Sequence, residues 1–160
     1  MVSGNQSNFL EVIERNYKSL THPDFSFVNK VALSRPYGLL IEKLCDLFEV
    51  EEVTDSNDDV SFRYLVSKSN KRWIIELSML GRYAVVFRIS KAGCTELVSP
   101  NTTVSDEIGI ISLLLLDHFE VLRQDELEQF VALNLFNADP ENVRLYQALF
   151  SDVDVLPWRA

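Results

Sequence analysis

The chain has 160 residues with 15 basic and 24 acidic side chains, which gives a net charge of −9 at pH 7. Hydrophobic residues make up 47% of the sequence, enough to build a core, so the composition excludes a disordered chain and predicts one folded domain over residues 1–160. The excess of acids argues against direct binding to nucleic acid, which requires a surplus of Lys and Arg. Two cysteines, Cys45 and Cys94, are too few for a disulfide scaffold and fit a reducing compartment.

The N-terminal residues lack a basic start and an apolar segment, the two features of a secretory signal. The longest apolar run, residues 108–116, is interrupted by Gly109 and Ser112. As a helix it would extend about 14 Å, roughly half the hydrocarbon thickness of a bilayer. We therefore expect a cytoplasmic protein that does not contact a membrane.

The N-terminal part of the chain is predicted to form a helix, a short strand and a second helix. Phe9, Ile13 and Tyr17 recur every four residues, which predicts a helix over residues 8–19. Apolar and polar residues alternate over residues 25–33, which predicts a strand. The second helix is expected to begin at Ser34 and to reach about residue 48.

Residues 60–98 carry the clearest pattern, because apolar and polar residues alternate in segments separated by turns. The pattern predicts antiparallel strands at residues 60–66, 73–79, 83–89 and 94–98. One face of this sheet is expected to be apolar and covered by helices. The opposite, outward face would be shared by Arg63, Arg72, Arg82 and Arg88.

The C-terminal half is predicted to contain three helical segments, at residues 104–118, 124–129 and 139–151, and one strand, at residues 131–135. Residues 152–160 would form a strap over the core, in which Trp158 either closes the core or anchors a partner. Together these elements predict an α+β fold, with an antiparallel β-meander of four to five strands covered on one face by three to four helices.

Charge is distributed unevenly along the chain. Residues 42–59 contain eight acids and one base, and residues 106–128 contain seven acids and one base. Between them, residues 63–91 contain seven bases and one acid. We therefore expect a basic sheet between two acidic blocks, with part of the charge cancelling when the helices pack on the strands.

The first block ends in the acidic segment 50–59, for which three interpretations remain open. It is a solvated loop, a docking surface for a basic partner, or a metal-binding loop. An EF-hand that begins at Asp55 is excluded, because Val60 occupies the position of the required Gly and Val66 that of the bidentate Glu.

The sequence contains no signature of an enzyme. His22 and His118 are 96 residues apart, and the two cysteines have neither CxxC spacing nor a basic neighbour. Glycine-rich phosphate loops and the GxSxG elbow are absent from the sequence. We expect a protein without catalytic residues, bound metal or cofactor.

The organisation of the chain resembles that of bacterial immunity proteins from contact-dependent inhibition and other polymorphic toxin systems. The resemblance is carried by the meander at residues 60–98, the hydrophobic helix at 104–118, and the segments 125–128 (Asp-Glu-Leu-Glu) and 149–158. It covers organisation over most of the chain and involves no residue-specific motif. It implies a protein that binds and neutralises a cognate toxin domain, often a basic nuclease.

The hypothesis that follows is that acidic side chains cover the basic surface of the toxin domain as phosphate mimics. The candidate residues are Glu49, Glu51, Glu52, Asp55, Asp58 and Asp59 in a first patch, and Asp125, Glu126 and Glu128 in a second. A monomer is expected. The alternative is an acidic type III secretion chaperone, a class of cytoplasmic homodimers that hold an effector segment partly unfolded.

Overall fold

The computed structural model describes residues 4–159, with side chains from residue 8 onward, so residues 1–3 and 160 of the predicted domain lie outside the described range. The helices within this range are α1 (Gly4–Tyr17), α2 (Ser26–Ser34), α3 (Gly38–Cys45), α4 (Ser105–Leu116), α5 (Gln124–Leu127) and α6 (Leu145–Leu149). The strands are β1 (Glu49–Glu52), β2 (Ser61–Lys68), β3 (Lys71–Ser78), β4 (Tyr83–Ile89), β5 (Thr95–Leu97) and β6 (Glu120–Val121). Two short 3₁₀ helices occupy Pro140–Asn142 and Pro157–Arg159.

The strands form one sheet in the order β1-β2-β3-β4-β5, in which every neighbouring pair is antiparallel. Strand β6 pairs in parallel with the beginning of β4. The predicted α+β fold and its antiparallel meander are therefore confirmed. Strands β1 and β6 were not predicted, because one lies in the acidic segment and the other has only two residues.

One face of the sheet packs under α3 and α4. It presents Phe62, Tyr64 and Val66 of β2 and Trp73, Ile75 and Leu77 of β3, all of them buried. The helices contribute Leu40, Leu44, Ile110 and Leu114. Each such side chain stabilises the fold by about 1.5–3 kcal/mol through its removal from water. Helix α4 is buried on this side alone, because its opposite side exposes Ile108, Leu115 and Leu116.

The other face of the sheet is covered as well, by α1, α6 and the C-terminal residues. Phe9 of α1 packs against Tyr83 with ring centroids 5.4 Å apart. Trp158 stacks on Phe87 at 6.2 Å and meets Tyr146 of α6 edge-on at 5.4 Å. The predicted strap is thus observed over residues 152–159, with Trp158 packed against the core; residue 160 lies outside the described range. The sheet is the middle of three layers.

The prediction that four arginines share one outward face is wrong. Arg88 lies opposite Trp73 on the face under α4, whereas Arg63 lies opposite Glu76 on the face under α6. In β4, Ala84 and Val86 face α4, and Val85 and Phe87 on the opposite face are buried too. An alternation of period two therefore does not identify the outer side of this sheet. Cys45 and Cys94 are free cysteines, and both are exposed.

The strand predicted for residues 25–33 is helix α2. Phe27, Val28 and Val31 are the second, third and sixth residues of this helix, and they pack on the core. At its beginning, the carboxylate of Asp24 accepts a hydrogen bond from Ser26 N–H at 2.8 Å. Leu33, taken as part of the alternation, is 85% exposed. The apolar positions therefore fit a short helix better than a strand.

Two further predictions are wrong in the C-terminal half. Residues 131–135 form no strand, although Val131 N–H donates to the Val143 carbonyl at 3.1 Å. The helix predicted over residues 139–151 is a 3₁₀ turn followed by the shorter α6, because Val143 has an extended backbone with φ −70° and ψ 127°.

Within residues 4–159, no helix is both long and apolar enough to cross a bilayer.

Candidate protein-binding surface

The two acidic blocks differ in how far their charge is neutralised within the fold. In residues 106–128, Asp106 pairs with Lys68 and Lys71, Glu107 with Arg88, Asp117 with Arg82, Asp125 and Glu126 with Arg123, and Glu128 with Arg159. In residues 42–59, the one ion pair to a described residue joins Glu52 to Arg35, at 2.6 Å. The expected cancellation between sheet and helices therefore applies to the second block, and the first keeps most of its charge at the surface.

Glu49 and Glu51 of the first patch lie on the edge strand β1. The register places them opposite Ser67 and Leu65 of β2, so their side chains lie on the same side of the sheet as those residues. Both glutamates are exposed, and with these neighbours they line a shallow groove of about 110 Å³. Neither forms an ion pair with a described residue. Both carboxylates are therefore accessible to a partner.

Glu52 points to the opposite side, because it pairs with Tyr64 in the register. Its carboxylate accepts a hydrogen bond from Arg35, and the Arg35 guanidinium also lies 5.0 Å from the centre of the Phe62 ring. Burial, together with the nearby Glu52, raises the pKa of Tyr64 to about 12. Glu52 therefore joins the residue that follows α2 to the edge strand.

Asp55, Asp58 and Asp59 lie in the turn between β1 and β2. Asp55 accepts a hydrogen bond from Asn57 N–H at 2.9 Å and stays exposed, and Asp58 accepts one from the side-chain amide of Asn137 at 3.0 Å. Asp59 is buried, accepts a hydrogen bond from the Ser151 hydroxyl at 2.7 Å, and has its pKa raised by that burial. The assignment of Asp59 to an accessible patch is wrong, because its carboxylate holds the turn to the C-terminal segment.

The second patch is largely engaged inside the fold. Glu126 is buried and accepts a hydrogen bond from Arg123 N–H at 3.1 Å, which caps α5. Glu128 accepts hydrogen bonds from Trp158 Nε1–H and from Arg159, both at 2.8 Å. Asp125 is exposed next to Arg123. Glu126 is therefore buried in the fold, which corrects its assignment to an accessible patch, and the partly exposed Glu128 is engaged by two side chains of the C-terminal segment.

A cavity of about 230 Å³ lies beside the acidic turn and was not predicted. Phe25, Val28 and Phe136 supply its apolar lining, and Asp58 and Asp152 supply carboxylates. Phe136 is 86% exposed, and its ring centroid is 5.6 Å from that of Phe25. The carboxylate of Asp152 accepts hydrogen bonds from the N–H groups of residues 136–138, which fixes this loop. An exposed aromatic ring beside carboxylates that have no ion pair with a described residue suits a protein interface.

A buried ion pair joins the sheet to α4. Glu107 accepts hydrogen bonds from Arg88, from Trp73 Nε1–H at 3.0 Å and from the Thr102 hydroxyl at 2.7 Å. Burial would raise the pKa of Glu107, but these hydrogen bonds, that of Arg88 first, outweigh it and lower the pKa. The charges of Arg88 and Glu107 are visible in the sequence, but no local pattern predicts that the two side chains form an ion pair.

A second buried carboxylate, Glu76, lies on the other face of β3. It accepts a hydrogen bond from the Tyr146 hydroxyl at 2.5 Å, while Arg63 Nε is buried with no hydrogen-bond partner among the described residues. Burial raises the pKa of Glu76 to about 7, because the hydrogen bond from Tyr146 and the charge of Arg63 oppose it only in part. With 1% of its surface exposed, Glu76 is shielded from solvent, and its ionisation affects the stability of the fold.

The exposed residues of the first patch offer electrostatic attraction to a partner. Among residues 4–159, no group of three or more His, Cys, Asp or Glu side chains is arranged to hold a metal ion. The exposed carboxylates of β1 and the following turn can attract a cationic surface, and the ring of Phe136 can pack against one. No family model, no curated protein and no solved structure matches this chain.

Proposed function

We propose that the chain is a binding protein that neutralises a toxin domain, of the basic nuclease class, by covering its nucleic-acid-binding surface. The observation that supports this is the contrast between the two acidic blocks. Basic side chains of the protein engage the second block, whereas Glu49, Glu51, Asp55 and Asp58 have no ion pair with a described residue. These four residues are called the acidic surface below.

A basic nuclease provides a partner of matching chemistry, because it holds phosphates with Lys and Arg. Complementary charge mainly accelerates the encounter and fixes the register of the two proteins. Slow dissociation requires a packed anchor in addition. Trp158 is engaged with Phe87 and Tyr146, so the exposed ring of Phe136 beside Asp58 is the better candidate for that role.

The proposal predicts that the double variant Glu49→Lys/Glu51→Lys loses most of its inhibitory power. At low ionic strength, the inhibition constant toward the toxin domain encoded by the neighbouring gene should rise by about two orders of magnitude, since attraction becomes repulsion. The measurement is a titration of nuclease activity with the purified protein. Added salt should reduce the difference, because exposed charges are screened.

The matched control is Glu11→Lys/Glu14→Lys on α1, which changes the net charge equally at exposed positions outside the acidic surface. This control should inhibit nearly as well as the unmodified chain. Equal loss in both variants would mean that net charge alone acts. Full inhibition by Glu49→Lys/Glu51→Lys would exclude β1 as the docking site.

A second candidate function, an acidic secretion chaperone, is favoured by the outer side of α4. Ile108, Leu115 and Leu116 are 47%, 56% and 74% exposed there, a side that a homodimer would bury. This candidate predicts a dimer at micromolar concentration in light scattering, converted to a monomer by Leu115→Glu/Leu116→Glu. A monomeric unmodified chain under those conditions would count against the chaperone.

A further inference from the structure

Strand β1 is the accessible edge of the sheet. The outer side of β4, at the opposite end, is divided between β5 and β6, and the 3₁₀ helix Pro157–Arg159 packs against β5. Strand β1, in contrast, has β2 as its one strand neighbour. An edge strand presents unpaired N–H and C=O groups to its surroundings, and an extended segment of another protein can pair with them.

The hydrogen bonds between β1 and β2 identify which backbone groups of β1 are unpaired. Val53 N–H donates to the Arg63 carbonyl at 2.7 Å. Because bonded positions recur at every second residue of an antiparallel ladder, Val50 and Glu52 direct their N–H and C=O groups away from β2. Neither residue forms a backbone hydrogen bond with another described segment outside the sheet. Two donors and two acceptors are therefore available on the edge.

The side chains of β1 specify the charge of the added strand. Glu49 and Glu51 both lie on the side of Ser67 and Leu65 and are exposed. On an added antiparallel strand, the residues opposite them would occupy non-hydrogen-bonded positions, where side chains approach most closely. Lys or Arg at these positions would be attracted, and Asp or Glu would be repelled.

We infer that β1 accepts an extended segment of the partner as an added strand, with Lys or Arg at alternate positions facing Glu49 and Glu51. The inference rests on the proposed function and adds the binding mode to it. The residues between the cations donate and accept backbone hydrogen bonds at Val50 and Glu52. Backbone pairing supplies affinity, and the two glutamates supply selectivity for a basic segment.

The test uses three synthetic peptides of the sequence Val-Lys-Val-Lys-Val-Lys-Val, one of them unmodified. The second carries N-methyl groups on the two central valines, whose N–H groups would face β1, and the third carries them on two of the lysines, whose N–H groups would face away. Charge and composition are the same in both modified peptides. We expect the N-methyl-lysine peptide to bind like the parent and the N-methyl-valine peptide to bind at least about tenfold more weakly in calorimetry.

Variants of the protein provide the reciprocal test. Val50→Pro removes an N–H that faces away from β2, a position where an edge strand tolerates proline, and Val50→Thr retains it. Val50→Pro should weaken peptide binding about tenfold and Val50→Thr should not. In hydrogen exchange, the amides of Val50 and Glu52 should become protected when the parent peptide is added. If Val50→Pro does not fold, the peptide pair decides the question alone.

Absence of binding by the parent peptide, or equal affinity of the two N-methylated peptides, would overturn strand addition. Failure of the proposed function is recognised separately. Full inhibition of the toxin domain by folded Val50→Pro would leave the inhibitor role in place and exclude this binding mode. Strand addition of the peptide without any inhibition of the toxin domain would retain the site and reject the nuclease partner.

Discussion

Replacing Arg88 with methionine is expected to lower the free energy of unfolding at pH 7 by about 3 kcal/mol, because the variant leaves the buried carboxylate of Glu107 without its cation. The loss should depend on pH. In the unmodified protein the pKa of Glu107 lies below its ordinary value of 4.5, so the pair contributes stability above that value and loses it as the pH falls. The difference between the two proteins should therefore shrink toward pH 4, as measured by urea unfolding.

Two further variants separate the ion pair from ordinary packing. Arg88→Met/Glu107→Gln should be more stable at pH 7 than Arg88→Met, because the neutral amide removes the buried charge and can still accept the hydrogen bond from Trp73. Arg72→Met on β3 is the matched control, since Arg72 is exposed and has no ion pair with a described residue. Arg72→Met should change the free energy of unfolding by no more than about 0.5 kcal/mol. A loss in Arg88→Met that is the same at pH 4 and pH 7 would contradict the electrostatic explanation.

Replacing Glu76 with glutamine is expected to stabilise the protein at pH 8 by about 3 kcal/mol. The folded state raises the pKa of Glu76 from 4.5 to about 7. The contribution of Glu76 to the free energy of unfolding is therefore most favourable below pH 4.5 and declines as the pH rises toward 7. Glutamine has the shape of the neutral acid, can accept the hydrogen bond from Tyr146, and does not ionise. Near pH 4.5 the two proteins should therefore have similar stability.

The comparison requires urea unfolding at both pH values, with Glu42→Gln as the control. Glu42 is an exposed carboxylate on α3, and its replacement should change stability little at either pH. A Glu76→Gln variant that is less stable than the unmodified chain at pH 8 would show that the ionised carboxylate is needed, as a partner of Arg63. That result would exclude burial as the dominant influence on Glu76.

The meander was predictable because its strands are apolar segments that end at clear turns, with the clearest alternation in β2. The layer arrangement was not, since both faces of β4 are apolar and a local pattern does not show which helix covers which face. Helix α2 was taken for a strand because Phe25, Phe27, Val31 and Leu33 all have odd numbers. In that helix Phe27 and Val31 share a face by the four-residue spacing, which the alternation concealed.

The candidate surface was predictable in charge and only partly in position. The acidic block was visible, but β1 was not, because glutamate has low β-propensity and three of the four residues are glutamates. Asp59 and Glu128 could not be distinguished from exposed acids, because Ser151 and Trp158, which donate hydrogen bonds to them, lie 92 and 30 residues away in the sequence. Long-range contacts of this kind leave no local pattern in the sequence.

The glutamates of β1 also affect contacts between copies of this chain. If two β1 edges met as antiparallel strands, Glu49 and Glu51 of one copy would stand near the same residues of the other, and their like charges would repel. Exposed edges without such charges are common starting points for fibrils and precipitates. The same carboxylates would thus keep the protein from aggregating at high concentration while its edge remains open.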